Sequence, residues 1–178
     1  LDNGWTFDLT VANLNGNAYS STVVDIGMGG LGNLKLNQGD GSGLGSYDDK
    51  MPTAWEEAWG NGLGTGVRLA VGSGASQNVM YSTPTVLGTS MTFTFAPDYG
   101  TADTGDKATA ASEDGLGSSY DATININPSL GTEILAGLNV FAGASTIEAN
   151  DENAATDDRY EAVGGITYSI GPLSLGYQ

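Results

Sequence analysis

The residues best placed to do chemistry in this chain are two tryptophans bracketing two carboxylates, Trp55-Glu56-Glu57-Ala58-Trp59. Aromatic residues beside carboxylates recur in sugar sites, but glycoside hydrolysis needs two opposed carboxyl groups about 5–10 Å apart. Neighbouring carboxylates on an extended chain point away from each other, so Glu56 and Glu57 do not read as an acid and its nucleophile. A short helix with Trp55 and Trp59 on one face, four residues apart, explains the spacing better. Gly29-Gly30-Leu31-Gly32 begins like a calcium β-roll repeat, yet Leu34 stands where that repeat requires Asp. Asp40-Gly41-Ser42-Gly43 lacks the spaced oxygens and the closing Glu of an EF-hand loop. The chain contains neither histidine nor cysteine, which removes imidazole-assisted nucleophiles and imidazole or thiolate metal sites. The expectation is a protein that is not an enzyme and holds no cofactor; clustered acids permit only weak, nonspecific divalent cation binding.

Of the 178 residues 21 are acidic and 5 basic, a net charge of −16. Phosphate backbones and anionic lipid headgroups repel such a chain, so nucleic acid is not an expected partner. With 39% hydrophobic residues the sequence is too apolar for a disordered acidic chain, while its 28 glycines make a thick oily core improbable. There is no run of about 18 apolar residues, so a membrane role would have to use strands. The sequence opens at Leu1 with no initiator Met, basic segment or apolar leader, and reads as mature or internal sequence.

Alternation of apolar and polar residues with a period of two recurs along the chain and specifies β-strands. Trp5, Phe7, Leu9 and Val11 share one face; Val24, Ile26 and Met28 oppose Asp25; Met91, Phe93 and Phe95 oppose Thr92 and Thr94. Tyr120, Ala122, Ile124 and Ile126 oppose Asp121, Thr123 and Asn125, and Ile134, Ala136, Leu138 and Val140 read as one face of a later strand. The pattern predicts nine strands, near 4–13, 19–28, 33–37, 76–83, 89–96, 119–127, 132–143, 159–170 and 173–178. Short turns at 29–32, 84–88, 127–131 and 171–172 alternate with long polar connections at 37–75, 97–118 and 144–158, while 14–18 falls on the side of the long ones. Each long connection carries five acids, fifteen of the 21 in total, and leaves the strands nearly uncharged.

Tight turns at one rim and large polar loops at the other form the layout of an all-β, antiparallel transmembrane β-barrel. A single-chain bacterial barrel closes with an even number of strands, so nine are expected to be part of a larger barrel. Asn78-Val79-Met80-Tyr81-Ser82-Thr83-Pro84, followed by Gly88 and the alternating Met91, Phe93 and Phe95, resembles the sixth and seventh strands of the Gram-negative general diffusion porins. Upstream, Val24-Asp25-Ile26-Gly27-Met28-Gly29-Gly30-Leu31-Gly32-Asn33-Leu34-Lys35-Leu36 is similar to the strand, glycine turn and strand preceding that family's inward-folded third loop. The resemblance implies a barrel of about sixteen strands, a homotrimer in the outer membrane and passive diffusion of small hydrophilic solutes. Family members carry a basic cluster on the wall facing the constriction; here Lys35 is the plausible wall cation.

The site residues follow from this layout. The connection 37–75 is expected to fold into the lumen, where Asp40, Asp48, Asp49, Glu56 and Glu57 would repel anions and gather cations. Parity places Asp8, Asp25, Lys35, Asp121 and Glu161 on the wet side of the wall, because a charge facing lipid near the midplane costs roughly 2–4 kcal/mol for Arg or Lys. Trp5, Tyr19, Tyr81, Phe95, Tyr120, Tyr160 and Tyr168 suit an interfacial girdle. The rival from another class is an exported soluble β-sandwich, a carbohydrate-binding or surface-layer module, whose apolar faces would be covered by protein.

Overall fold

The computed structural model describes residues 1–14, 17–38, 43–52, 70, 72–99, 116–128, 133–149 and 157–178. Nine antiparallel strands follow one another in a single sheet whose spatial order is the chain order: β1 (Thr6–Leu14), β2 (Asn17–Gly27), β3 (Asn33–Gln38), β4 (Gln77–Ser82), β5 (Thr89–Ala96), β6 (Leu116–Ile126), β7 (Leu138–Ala149), β8 (Arg159–Ile170) and β9 (Leu173–Tyr177). The chain is therefore an all-β antiparallel meander. The sheet is not closed: β1 pairs with β2 and β9 with β8, and the two outer strands do not pair with each other.

The register turns the period-two pattern into two unlike surfaces. One row of directly opposed residues runs Leu9, Val24, Leu36, Val79, Phe95, Tyr120, Thr146 and Tyr160, and the adjacent row on the same face runs Phe7, Ile26, Leu34, Tyr81, Phe93, Ala122, Ala144 and Ala162. A cross-strand neighbour on the same face is the contact that stabilises a sheet, so this continuity locks the pairing; a slip of one residue would turn every apolar side chain over. The apolar face stays open. Phe7 is 58% exposed, Phe93 45% and Tyr160 75%, and among the described residues no second layer covers it.

Across the other face runs a row of Asp8, Asp25, Lys35, Met80, Thr94, Asp121, Ser145 and Glu161. Asp8 is the third residue of β1 counted from the short-turn rim, whereas Glu161 is the third residue of β8 counted from the opposite rim. A hydrogen-bonding row thus drifts from one rim to the other as it crosses the sheet. Such stagger is the shear that accompanies tilted strands.

Turn chemistry agrees with the sequence at most joints. Gly29–Leu31 forms a 3-10 turn between β2 and β3, and Gly88, at φ +79°, turns the chain where a Cβ would run into the backbone of Asn127. Only glycine meets both demands there. One expectation fails: 132–143 is not a single strand. Glu133–Ala136 is a one-turn helix, α1, and β7 begins at Leu138, so Ile134 and Ala136 do not share a strand face with Leu138 and Val140. The Glu-Ile-Leu-Ala run has high helix propensity and no β-branched residue beyond Ile134. Gly137 then brings the backbone against β8, accepting a hydrogen bond from the Ser169 N–H at 3.0 Å, an approach that a Cβ would block. The expected long connections also shorten, because β7 runs on to Ala149 and β6 starts at Leu116.

Candidate functional site

β3 pairs directly with β4, so 39–76 is one connection, and its described parts lie on the polar face. The outgoing arm forms a 3-10 segment, Gly43–Lys50, and the returning arm a 3-10 turn, Gly72–Ala75. Leu44, Tyr47 and Phe141 of β7 make a small buried cluster, with Met51, Ala70 and Val163 packed around it. The Tyr47 and Phe141 rings are 4.8 Å apart at 50°, and the Tyr47 hydroxyl donates to the Ile124 carbonyl at 3.0 Å. Met51 and Pro52 reach as far as Gly176 of β9, where a Cβ would overlap the proline ring. The described part of the connection therefore crosses the wall instead of standing at the rim.

Its hydrogen-bonding anchor is Asp121, 4% exposed in the middle of β6. Oδ2 accepts from the Leu44 N–H at 3.0 Å, while Oδ1 accepts from the Ser73 N–H at 2.8 Å and from the Ser73 hydroxyl at 2.7 Å. One carboxylate thereby holds both arms. Gly43 and Gly72, at φ +63° and +60°, bring the two backbones so close that a Cβ on either would collide with the carboxylate. Glu161 supplies a second anchor, accepting from the Gly72 N–H at 2.8 Å and pairing with Arg159.

The five residues assigned to the wet wall by parity all lie on this face, and the register places them in one row. Their circumstances differ. Asp121 and Glu161 hold the connection, whereas Asp8, Asp25 and Lys35 lie on β1–β3, with Asp25 directly between Asp8 and Lys35 and receiving a hydrogen bond from the Asn33 side chain. Lys35 offsets the repulsion of two directly opposed carboxylates. Of the acids expected at the constriction, Asp48 and Asp49 fall within the 3-10 segment on the polar face, their side chains outside the described residues. Asp40, Glu56 and Glu57, with Trp55 and Trp59, lie outside the described residues. Sequence reasoning missed Arg159 as a wall cation and Lys50, whose ammonium sits 5.8 Å from the centre of the Tyr47 ring. It also missed Leu44, Tyr47, Ser73 and Phe141.

Burial pushes the Tyr47 phenol above the ordinary tyrosine range, with the Thr123 hydroxyl pulling back. Tyr99, just beyond β5, is raised by burial first and by Glu161 and Asp121, against the lowering effect of Arg159. For a phenol raised in the folded state the stabilisation is complete below the unfolded value, about 10, and fades as pH rises through the folded value. Thermal stability is therefore expected to fall from about pH 10 upward, and ultraviolet titration of Tyr47→Phe should lack part of the late phenolate absorbance of the wild type.

On the opposite, apolar face, Ala122 and Ala144 floor an open depression of about 680 Å³ walled by Tyr81, Phe93, Phe95 and Tyr160. No group of three or more metal-ligating side chains occurs among the described residues. Comparison with family models, with curated proteins and with solved structures gives no match for this chain.

Proposed function

We propose that this chain is part of the wall of a water-filled channel through the outer membrane, passing small hydrophilic solutes and ions by diffusion. One observation carries the reading: a nine-stranded sheet leaves a continuous apolar face uncovered among the described residues, while its polar face receives the longest connection. In water an apolar surface of this breadth is a strong drive to associate or insert, since soluble monomers rarely expose patches beyond a few hundred Å². In a bilayer the same face is the solvated one. Six strands have 8–12 residues, matching the ~9–11 that a tilted spanning strand needs. The stagger of the polar row agrees with that tilt.

A sheet edge cannot lie free in hydrocarbon, so the reading requires further strands beside β1 and β9, completing a larger barrel. Three such barrels side by side belong to the same proposal. No residue is assigned bond chemistry, and no cofactor is needed. The acids of the long connections, fourteen of 21 now that Glu148 falls on β7, give the mouth a negative potential that raises local cation concentration. On the wall, Asp8 and Asp25 against Lys35 leave one net negative charge on β1–β3, which points the same way.

Extraction and swelling test the proposal together. The protein should stay with membranes in salt and carbonate, leave them in detergent, and make phospholipid vesicles swell in iso-osmotic pentose. Recovery in aqueous buffer as a folded monomer would favour the sandwich module instead.

A further inference from the structure

The grip of Asp121 on the connection suggests more than a fixed fold. We propose that Asp121 is a clasp that sets how closely the two described arms of the connection, 43–52 and 72–76, lie on the wall, and hence the free aperture of the channel; this rests on the channel reading above. Three features support it. Both arms of the connection meet at one carboxylate, through Leu44 and Ser73, so a single group governs outgoing and returning chain together. Gly43 and Gly72 leave no side-chain atoms between backbone and carboxylate, so at this point the two arms approach the wall through hydrogen bonds, beside the packed cluster of Leu44, Tyr47 and Phe141. The seat under the clasp is also incompletely satisfied: Thr94 and Ser145 flank Asp121 in the same row, are 3% and 5% exposed, and their hydroxyl oxygens have no hydrogen-bond partner among the described residues. The Ser119 hydroxyl, two residues along β6, is fully buried and also lacks a partner among the described residues.

Those hydroxyls gain water if the connection lifts, which offsets part of what lifting loses. The seated position is consequently held by the carboxylate, alongside the Leu44–Tyr47–Phe141 packing and the Glu161–Gly72 hydrogen bond, against groups that favour opening. Asn at 121 keeps one acceptor oxygen but presents an NH2 group to one of the arms; Ala keeps no acceptor. Release should increase in the order wild type, Asp121→Asn, Asp121→Ala, with Ser73→Ala, which keeps the backbone donor, near Asp121→Asn or milder. Glu161 still holds Gly72 in every variant, so the strands are expected to stay paired.

Two readouts keep the clasp separable from the channel. The chain has no cysteine, so Ser46→Cys, exposed on the outgoing arm, takes a single nitroxide label. Its spectrum in detergent micelles should show motion rising along the series, at unchanged β content by circular dichroism. In lipid bilayers the same proteins should show unitary conductance rising in the same order, by about 1.5-fold or more for Asp121→Ala, with increased open-channel noise. A label whose motion is the same in wild type and Asp121→Ala overturns the clasp. Motion that rises along the series in a protein that conducts no ions leaves the clasp standing and overturns the channel. Motion that rises at constant conductance overturns the link to aperture. Loss of β content in Asp121→Ala leaves Asp121→Asn and Ser73→Ala to decide on the same criteria.

Discussion

Ala122→Arg is expected to lower the equilibrium constant for assembly in membranes by roughly 30- to 900-fold, the equivalent of about 2–4 kcal/mol for an Arg at the midplane of a lipid-facing strand. Ala122 lies on the apolar face of β6, between Phe93 and Ala144 in the register. Among the described residues the apolar face around it offers aromatic rings, alanines and a few neutral hydroxyls but no carboxylate to pair with a guanidinium, so its charge would meet hydrocarbon. Ser82→Arg, at the short-turn end of β4, is the comparison on the other face. Ser82 pairs with Asn33 and Thr92 on the polar face, where an added charge borders water, and assembly should change by less than a factor of about 5. Heat-modified mobility on gels after refolding into vesicles measures both. Equal losses in the two variants would mean that the faces have been assigned to the wrong solvents.

The second large effect concerns the polar face. Phe141→Ala should lower the stability of the folded protein by about 3–5 kcal/mol, the usual result of emptying a packed aromatic site. Phe141 is 1% exposed beneath Leu44 and Tyr47, with its ring against Gly165. Phe93→Ala on the open face removes the same atoms from a residue that is 45% exposed. In detergent its cost should be about 1 kcal/mol or less, because micelle contacts are not a fixed cavity. Urea unfolding of both variants in one detergent gives the comparison, and a Phe141→Ala loss no larger than that of Phe93→Ala would show that the connection does not seat there.

Phe141 also explains what the sequence could reveal and what it could not. The strands were legible because Val24-Asp25-Ile26 or Met91-Thr92-Phe93-Thr94-Phe95 alternate strictly and so fix both strand and face. The same parity assigns Asp8, Asp25, Lys35, Asp121 and Glu161 to one face, since a period of two leaves no other choice. It gave no register, which arises from turn geometry and from pairing between strands, and so did not reveal that the five stand in one row. The helix at Glu133–Ala136 was misread because four residues satisfy either period. The landing site of the long connection had a signal that went unused: Phe141, Ile147, Val163 and Met80 are apolar at positions where parity demands polar residues. Such residues announce a cover. Which segment supplies that cover depends on Gly43, Leu44, Gly72 and Ser73, and glycine-rich polar sequence carries no period that could point to a docking surface. The anchoring role of Asp121 was hidden for the same reason, because its partners are backbone groups 48 and 77 residues away.

The polar face as the border of a conduit is tested most directly by current across a planar lipid bilayer to which the detergent-extracted protein is added, with a tenfold potassium chloride gradient. Discrete, ohmic steps with a reversal potential of the sign that favours potassium over chloride are the expected result. A bilayer that stays silent while the protein is demonstrably inserted would contradict it.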